Sequence, residues 1–221
     1  MKKILIGILC AVAVSAASIM GTLAYLTDKD SVANTFTVGN VDITLDEADV
    51  TPDGVEIAGA DRVKGNEYHL IPGREYVKDP TVTIVKGSED SYVRALVTFN
   101  CLSDLDAIFA ENGGADLLDI FDGYDASVWV YEGETEDTTE NTITYEFRYY
   151  KTVGTYGADD NLELKPVFTG FTAPTFLDGE DLAKLSTLKI TVEAHAIQAE
   201  TFENDVDAAW AAFDQQHEAN P

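Results

Sequence analysis

Three histidines and two cysteines are the side chains of this 221-residue chain best suited to nucleophilic or metal-dependent catalysis. His69, His195 and His217 stand in the sequences HLIPG, HAIQA and HEANP. The HExxH pattern, which places two zinc ligands and a glutamate base on one helix, is therefore absent. A G-x-S-x-G nucleophile elbow is also absent. Cys101 follows the apolar run VRALVTFN, which favours a buried, structural thiol. The sequence thus leans away from an enzyme.

Aspartates in turn-like segments are the remaining candidates for a ligand site. Asp119, Asp122 and Asp125 lie in DIFDGYDAS, and Asp159 and Asp160 lie in GADDN. Carboxylate oxygens are the donors that calcium prefers, although neither segment has the spacing of an EF-hand loop. Aspartate also favours turns for purely local reasons. Both interpretations stay open, and no cofactor other than calcium is indicated.

The first 24 residues have the features of an export signal. A basic start, MKK, precedes an uncharged and mostly apolar run. Small residues then stand three and one positions before the predicted cut, which falls between Ala24 and Tyr25. We expect residues 1–24 to be a signal peptide and residues 25–221 to form a single secreted domain. An uncleaved membrane anchor is the alternative.

The chain is strongly acidic. Its 40 Asp and Glu residues against 14 Lys and Arg residues give a formal net charge of −26 at pH 7. Such a charge repels nucleic acid and anionic lipid surfaces. We expect no nucleic-acid partner, and membrane contact only through the signal peptide before cleavage. After cleavage Cys101 has no second cysteine in the chain, so core burial must stabilise the fold without a disulfide.

Alternation of apolar and polar residues predicts about eight strands. The alternation is most regular over residues 91–99 and 189–197, and the acidic segment 132–141 is predicted to be an exposed hairpin or loop. The other predicted strands are 35–45 with a break at 39–40, 81–85, 127–131, 142–150 and 162–168. Strands of this number and composition predict an all-β fold, a jelly-roll-like β-sandwich.

Short helices are expected to interrupt the β pattern. The helical segments are 102–121, which contains two helices around an Asn-Gly-Gly turn, 179–185 and 203–213. Ser103 or Asp104 is the predicted N-cap of the first segment, and Asn204 or Asp205 is the predicted N-cap of the last. The same patterns place His195 on the solvent side of a strand and His217 in a frayed tail.

Three blocks of the sequence resemble the TasA/camelysin family. AYLTDKDSVANTFTVGNVDITL, directly behind the signal, resembles the start of that family, whose signals are cut by a dedicated SipW-type peptidase. IPGREYVKDPTVTIVKGSEDSYVRALV resembles its second block, and KITVEAHAIQAETFENDVDAAWAAF resembles its closing strand. The N-terminal block is the most specific of the three. Residues 102–186 match no part of the family that we can place.

The resemblance implies a secreted protein that assembles into extracellular or biofilm-matrix fibres. In fibre-forming members, the mature N-terminal segment of one subunit completes the sheet of the next. We therefore expect residues 25–38 to be an exchanging strand, with Phe36 and Val38 as apolar anchors on one face. The expected partners are other copies of the chain and, during export, a SipW-type signal peptidase.

Other interpretations remain open at this level. Residues 25–38 could be an ordinary first strand that stays in its own sheet. The protein could then be a monomeric extracellular binding module, with calcium as a candidate ligand. The family also includes camelysin-type members described as metallopeptidases, and the missing HExxH pattern weighs against that activity here.

Overall fold

The computed structural model describes residues 39–203 and 205–218. The predicted signal peptide, its cut between Ala24 and Tyr25, and the anchors Phe36 and Val38 lie outside the described residues. The described part of the chain contains ten strands in three antiparallel sheets. In chain order the strands are β1 Ile43–Asp46, β2 Glu75–Val77, β3 Thr81–Ile84, β4 Ser91–Asn100, β5 Phe121–Asp122, β6 Trp129–Asp137, β7 Thr142–Tyr149, β8 Leu162–Glu163, β9 Gly170–Thr172 and β10 Ile190–Gln198.

The sheets differ in size. The largest has the order β10-β4-β7-β6, and the two smaller ones are β1-β3-β8 and β2-β9-β5. Buried apolar residues of the first two sheets belong to the main core, whereas Tyr76 and Phe171 of the third sheet form a second cluster with Ala173. Val93, Val97 and Phe99 of β4 are almost fully buried, as predicted from their alternation, and they join Val82 and Ile84 of β3 in that core. The predicted all-β, sandwich-like fold with short helices is confirmed.

Helices are found in all three predicted segments. The helices are α1 Leu102–Glu111, α2 Gly179–Lys184 and α3 Val206–Glu218, with 3₁₀ turns at Leu117–Ile120 and Glu200–Phe202. The predicted cap of α1 at Ser103 or Asp104 was wrong, because α1 starts after Cys101, whose backbone is left-handed with φ of 61° and which gives no side-chain cap. The frayed tail predicted for His217 was also wrong. Its ring stacks 4.0 Å from that of Phe213 within α3.

Several strand boundaries differ from the prediction for identifiable reasons. Of the strand predicted over 162–168, only Leu162–Glu163 forms regular strand β8. Beyond it Leu164 N–H still donates to Val82 O at 2.9 Å, and Pro166 then lacks the backbone N–H that a continued ladder needs. The acidic segment 132–141 is an exposed hairpin between β6 and β7, one of the two predicted forms, and β6 extends beyond the predicted end at residue 131 to Asp137. The turn ends at Asn141, which has a left-handed φ of 56°. The strand predicted over 35–45 is described only from Gly39 onward, and within that part the strand, β1, begins at Ile43. The strands of the third sheet have two or three residues, too few for a periodic pattern.

A buried ion pair fixes the segment that follows β1. Lys78 Nζ lies 2.6 Å from Glu47 Oε2, and both side chains are less than a tenth exposed. Asn66 Nδ2 donates to the other carboxylate oxygen at 2.8 Å, so each oxygen of Glu47 has a donor. Arg62 adds ion pairs to Asp46 and Asp79. These contacts hold the loop between β1 and β2 against the end of β1.

We predict that Lys78→Ala destabilises the domain by about 3–5 kcal/mol, because it leaves the buried Glu47 carboxylate without its cation. Urea unfolding of the two proteins gives this difference. Lys86→Ala is the matched control, since it removes a lysine whose partner Asp159 is exposed. Such a surface pair contributes about 0–1 kcal/mol. Equal losses in the two variants would contradict the assignment of Lys78–Glu47 as a buried structural pair.

Candidate functional site

A groove of about 1160 Å³ runs between β1 and β10. Each of these strands is the outermost strand of its sheet. The groove is larger than the roughly 300–1,000 Å³ usual for small-molecule pockets. Its apolar lining comes mainly from the two facing strands and from the turn before β10. The apolar side chains from these strands and this turn are Ile43, Leu45, Leu188, Ile190, Val192 and Ala194.

The backbone of β10 presents unpaired groups to this groove. In an antiparallel pair, alternate residues bond to the neighbouring strand and the others direct N–H and C=O away from it. The bond from Asn100 N–H to Lys189 O, 3.3 Å, sets the odd-numbered residues of β10 as those bonded to β4. Ile190, Val192 and Ala194 therefore point their backbone groups at the groove. Among the described residues, no backbone partner reaches them from that side.

The facing edge of β1 is open over a shorter stretch. Val85 N–H donates to Asp42 O at 3.0 Å, so Ile43 and Leu45 direct their backbone groups away from β3. At the next position on this edge, Glu47 forms a bridge with Val63 and closes it. The Lys64 ammonium binds the Leu45 carbonyl at 2.5 Å. A side chain thus holds the position that a strand N–H would take.

Core-facing side chains of β10 are less covered than their partners on β4. Val192 lies directly opposite Val97, and Ala194 directly opposite Ala95. Val97 and Ala95 are fully buried, whereas Val192 and Ala194 are half-buried. Each pair therefore has identical side chains at directly opposite positions of neighbouring strands. The difference arises because the described residues place no strand beyond β10, so its apolar face is incomplete.

The opposite edge of the same sheet is protected against strand pairing. β6 carries Glu132, Glu134 and Glu136, all exposed, and a register shift between Tyr131 and Gly133 breaks its regular ladder. Charged side chains and bulges are common devices against edge-to-edge pairing. β10 has a single exposed acid, Glu193, and an unbroken register with β4. The β10 edge of this sheet is therefore better suited to pairing with an additional strand than the β6 edge is.

Helix α3 supports β10 from the outer face of the sheet. The Arg94 guanidinium lies 4.5 Å from the Trp210 ring centre and 5.1 Å from that of Phe213, and it pairs with Asp214. Arg94 Nε also donates to His195 Nδ1 at 3.2 Å, and the His195 ring stacks 4.6 Å from Phe213. The predicted solvent-facing role of His195 was wrong, because α3 covers this part of the strand.

The surroundings of His195 lower the pKa of its imidazole. Burial disfavours the charged ring, and the nearby positive charge of Arg94 acts in the same direction. His217 of α3 adds to this effect, while Glu193 and Asp214 oppose it. The neutral ring is also the form that accepts the hydrogen bond from Arg94. Packing of α3 on β10 therefore favours neutral His195.

The five aspartates proposed for calcium do not form a described metal site. Asp122 accepts a hydrogen bond from Thr172 Oγ1 at 2.8 Å, and Asp119 is exposed in the 3₁₀ turn that precedes β5. The Ser127 hydroxyl and N–H both donate to Asp125 and lower the pKa of its carboxyl. The other two, Asp159 and Asp160, are exposed. Within the described ranges, no three His, Cys, Asp or Glu side chains are grouped to hold a metal ion.

The groove was not predicted from the sequence. The alternation of 189–197 correctly predicted β10 and its apolar face, but strand order decides which face lacks a neighbour. One available signal is the absence of charge from the residues of β10 that face the core, together with the small size of Ala194 and Ala196. Small, uncharged residues on an outermost strand leave room for another backbone.

Comparison with known proteins adds no relative: no family model, curated protein or solved structure matches the chain. None of the helices in the described ranges has the length and apolar character needed to cross a bilayer.

We predict that the stabilising contribution of His195 is lost in mild acid. Because the folded pKa is lowered, this contribution is present above the ordinary histidine pKa of about 6.5 and disappears as pH falls through the folded value. Between about pH 7.5 and about pH 5, wild type should lose more stability than His195→Gln, whose amide oxygen can still accept from Arg94. Urea unfolding at each pH measures the difference.

His217→Gln is the control for the acid effect, because His217 is an exposed histidine of α3, the helix that packs on His195. It should follow the wild-type pH profile more closely than His195→Gln does. Parallel profiles for wild type and His195→Gln would show that His195 does not couple pH to the packing of α3.

Proposed function

We propose that this chain is a secreted structural protein that assembles into extracellular or biofilm-matrix fibres by exchange of its N-terminal strand between subunits. The observation that carries the proposal is the half-covered apolar face of β10 beside a groove with open backbone edges on both sides. Within this proposal, a SipW-type peptidase cleaves the chain between Ala24 and Tyr25 during export. The family resemblance of the N-terminal block supports the same assignment.

An extended peptide satisfies both requirements of the groove. Its main chain can hydrogen-bond to the edge of β10 or of β1, as in strand-addition complexes, and its alternate side chains can cover Val192 and Ala194. In residues 25–38, Phe36 and Val38 alternate onto one face. Burying an apolar side chain of this size contributes about 1.5–3 kcal/mol. The segment can therefore supply both the backbone hydrogen-bond partners and the apolar side chains that would complete the edge of β10.

Exchange between copies leads to a filament. The segment belongs to one end of the chain and the groove to the body of the domain, so a contact between them is heterologous. Each subunit then donates one strand and accepts another, and the chain of contacts stays open at both ends. A segment that fills the groove of its own subunit would give a monomer, and this is the competing result in the experiment below.

We predict that deletion of residues 25–38 leaves a folded domain that does not polymerise. The domain retains the main core, which consists of described residues after position 38. The truncated chain should also slow wild-type fibre growth, since its groove still accepts a strand but it has none to donate. Circular dichroism and electron microscopy test both results. Fibres from the truncated chain would contradict exchange, and an unfolded product would indicate an ordinary first strand.

A substitution in the acceptor edge gives the complementary test. Ala194→Arg places a long charged side chain on the half-covered face of β10 and should block assembly without loss of the fold. Val130→Arg is the matched control on β6, where the side chain is already exposed. Light scattering should show growth close to wild type for Val130→Arg and little growth for Ala194→Arg. Equal growth would contradict the use of the β10 edge.

A further inference from the structure

Two lysines line the groove without an acidic partner. Lys78, which also lines it, is paired with Glu47, whereas Lys64 and Lys189 form no ion pair with any carboxylate of the described residues. The chain has 40 acidic residues against 14 basic ones, so most lysines at random surface positions would be expected to lie near a carboxylate. Lys64 instead binds a backbone carbonyl, that of Leu45.

The two lysines lie toward the same end of the groove. Asp42, just before β1, bonds to Ser88 next to the start of β4, and the start of β4 pairs with the end of β10. β1 therefore runs from the end of β10 toward its beginning. Leu45, whose carbonyl Lys64 binds, is directed toward the Ile190 end, and Lys189 immediately precedes Ile190. We call this the lysine end of the groove.

In the segment proposed to enter the groove, the acidic residues precede most of the apolar ones along the sequence. Asp28 and Asp30 precede Val32, Phe36 and Val38, and all five occupy even positions. In a strand they share one face. At roughly 3.3 Å per residue, a strand conformation places Asp30 about 20 Å from Phe36, which is most of the roughly 26 Å that the nine residues of β10 span. A strand with its anchors against β10 therefore carries its carboxylates to one end of the groove only.

We propose that Lys64 and Lys189 bind Asp28 and Asp30 of the strand from a second copy and so fix the direction in which that strand enters. This inference rests on the proposed function. The carboxylates lie at the lysine end, so the strand runs parallel to β10 and antiparallel to β1. As it enters, Lys64 exchanges the Leu45 carbonyl for a carboxylate, and that carbonyl becomes available to a backbone N–H. A single direction of entry gives every subunit the same orientation along the fibre.

Charge reversal and its compensation in the full mature chain test this inference. Lys64→Glu with Lys189→Glu places like charges against the incoming acids, and Asp28→Lys with Asp30→Lys does the same from the other side. Each pair of substitutions should raise the protein concentration needed for fibre growth about tenfold, because like charges oppose docking. All four substitutions in one chain should restore growth. The loss should shrink near 1 M salt, where the Debye length is about 3 Å.

The control removes the same number of positive charges elsewhere. Lys86→Glu with Lys151→Glu changes net charge equally at exposed positions outside the groove lining, and growth should stay close to wild type. Wild-type growth in both reversed variants, or no recovery in the fourfold variant, would overturn the lysine–aspartate contact while leaving strand exchange intact. A wild-type chain that forms no fibres would overturn strand exchange itself, and this contact with it.

Discussion

β10 is the outermost strand of the largest sheet, and its outer edge has no strand partner among the described residues. Backbone N–H and C=O groups need partners when they are removed from water, and apolar side chains need cover. Among the described residues, nothing meets either need on the outer side of β10, at Ile190, Val192 and Ala194. One added strand would meet both at once. We therefore interpret the groove as a binding site for an added strand and not as a pocket for a small ligand.

The remaining features keep that edge available and exclude other pairings. Stacking of Arg94 and His195 against α3 holds β10 in position from its outer face. The buried Lys78–Glu47 pair fixes the loop that closes the end of β1, which limits the length of the facing edge. Acidic side chains and a bulge protect β6 at the far side of the sheet. In the assembly that we propose, these features direct association to one edge, as a fibre with a single type of contact requires.

Sequence patterns predicted the individual elements better than their arrangement. Alternation identified β3, β4, β7 and β10 with the correct inward faces, because a half-buried strand leaves its period in the sequence. The short strands of the third sheet and the cap at Cys101 left no such pattern. The groove depends on which strand lies outermost, and His195 is covered by a helix that begins some ten residues later. Both are consequences of tertiary packing, which periodicity within one segment does not contain.

Hydrogen exchange at the amides of β10 distinguishes strand addition from an edge that stays open to solvent. We expect the amides of Val192 and Ala194 to exchange rapidly in dissociated mature subunits and to become strongly protected in fibres, because the added strand supplies their hydrogen-bond partners. The amides of Glu193 and His195, bonded to β4, should be protected in both states. Equal exchange of Val192 and Ala194 in subunits and fibres would contradict strand addition at this edge.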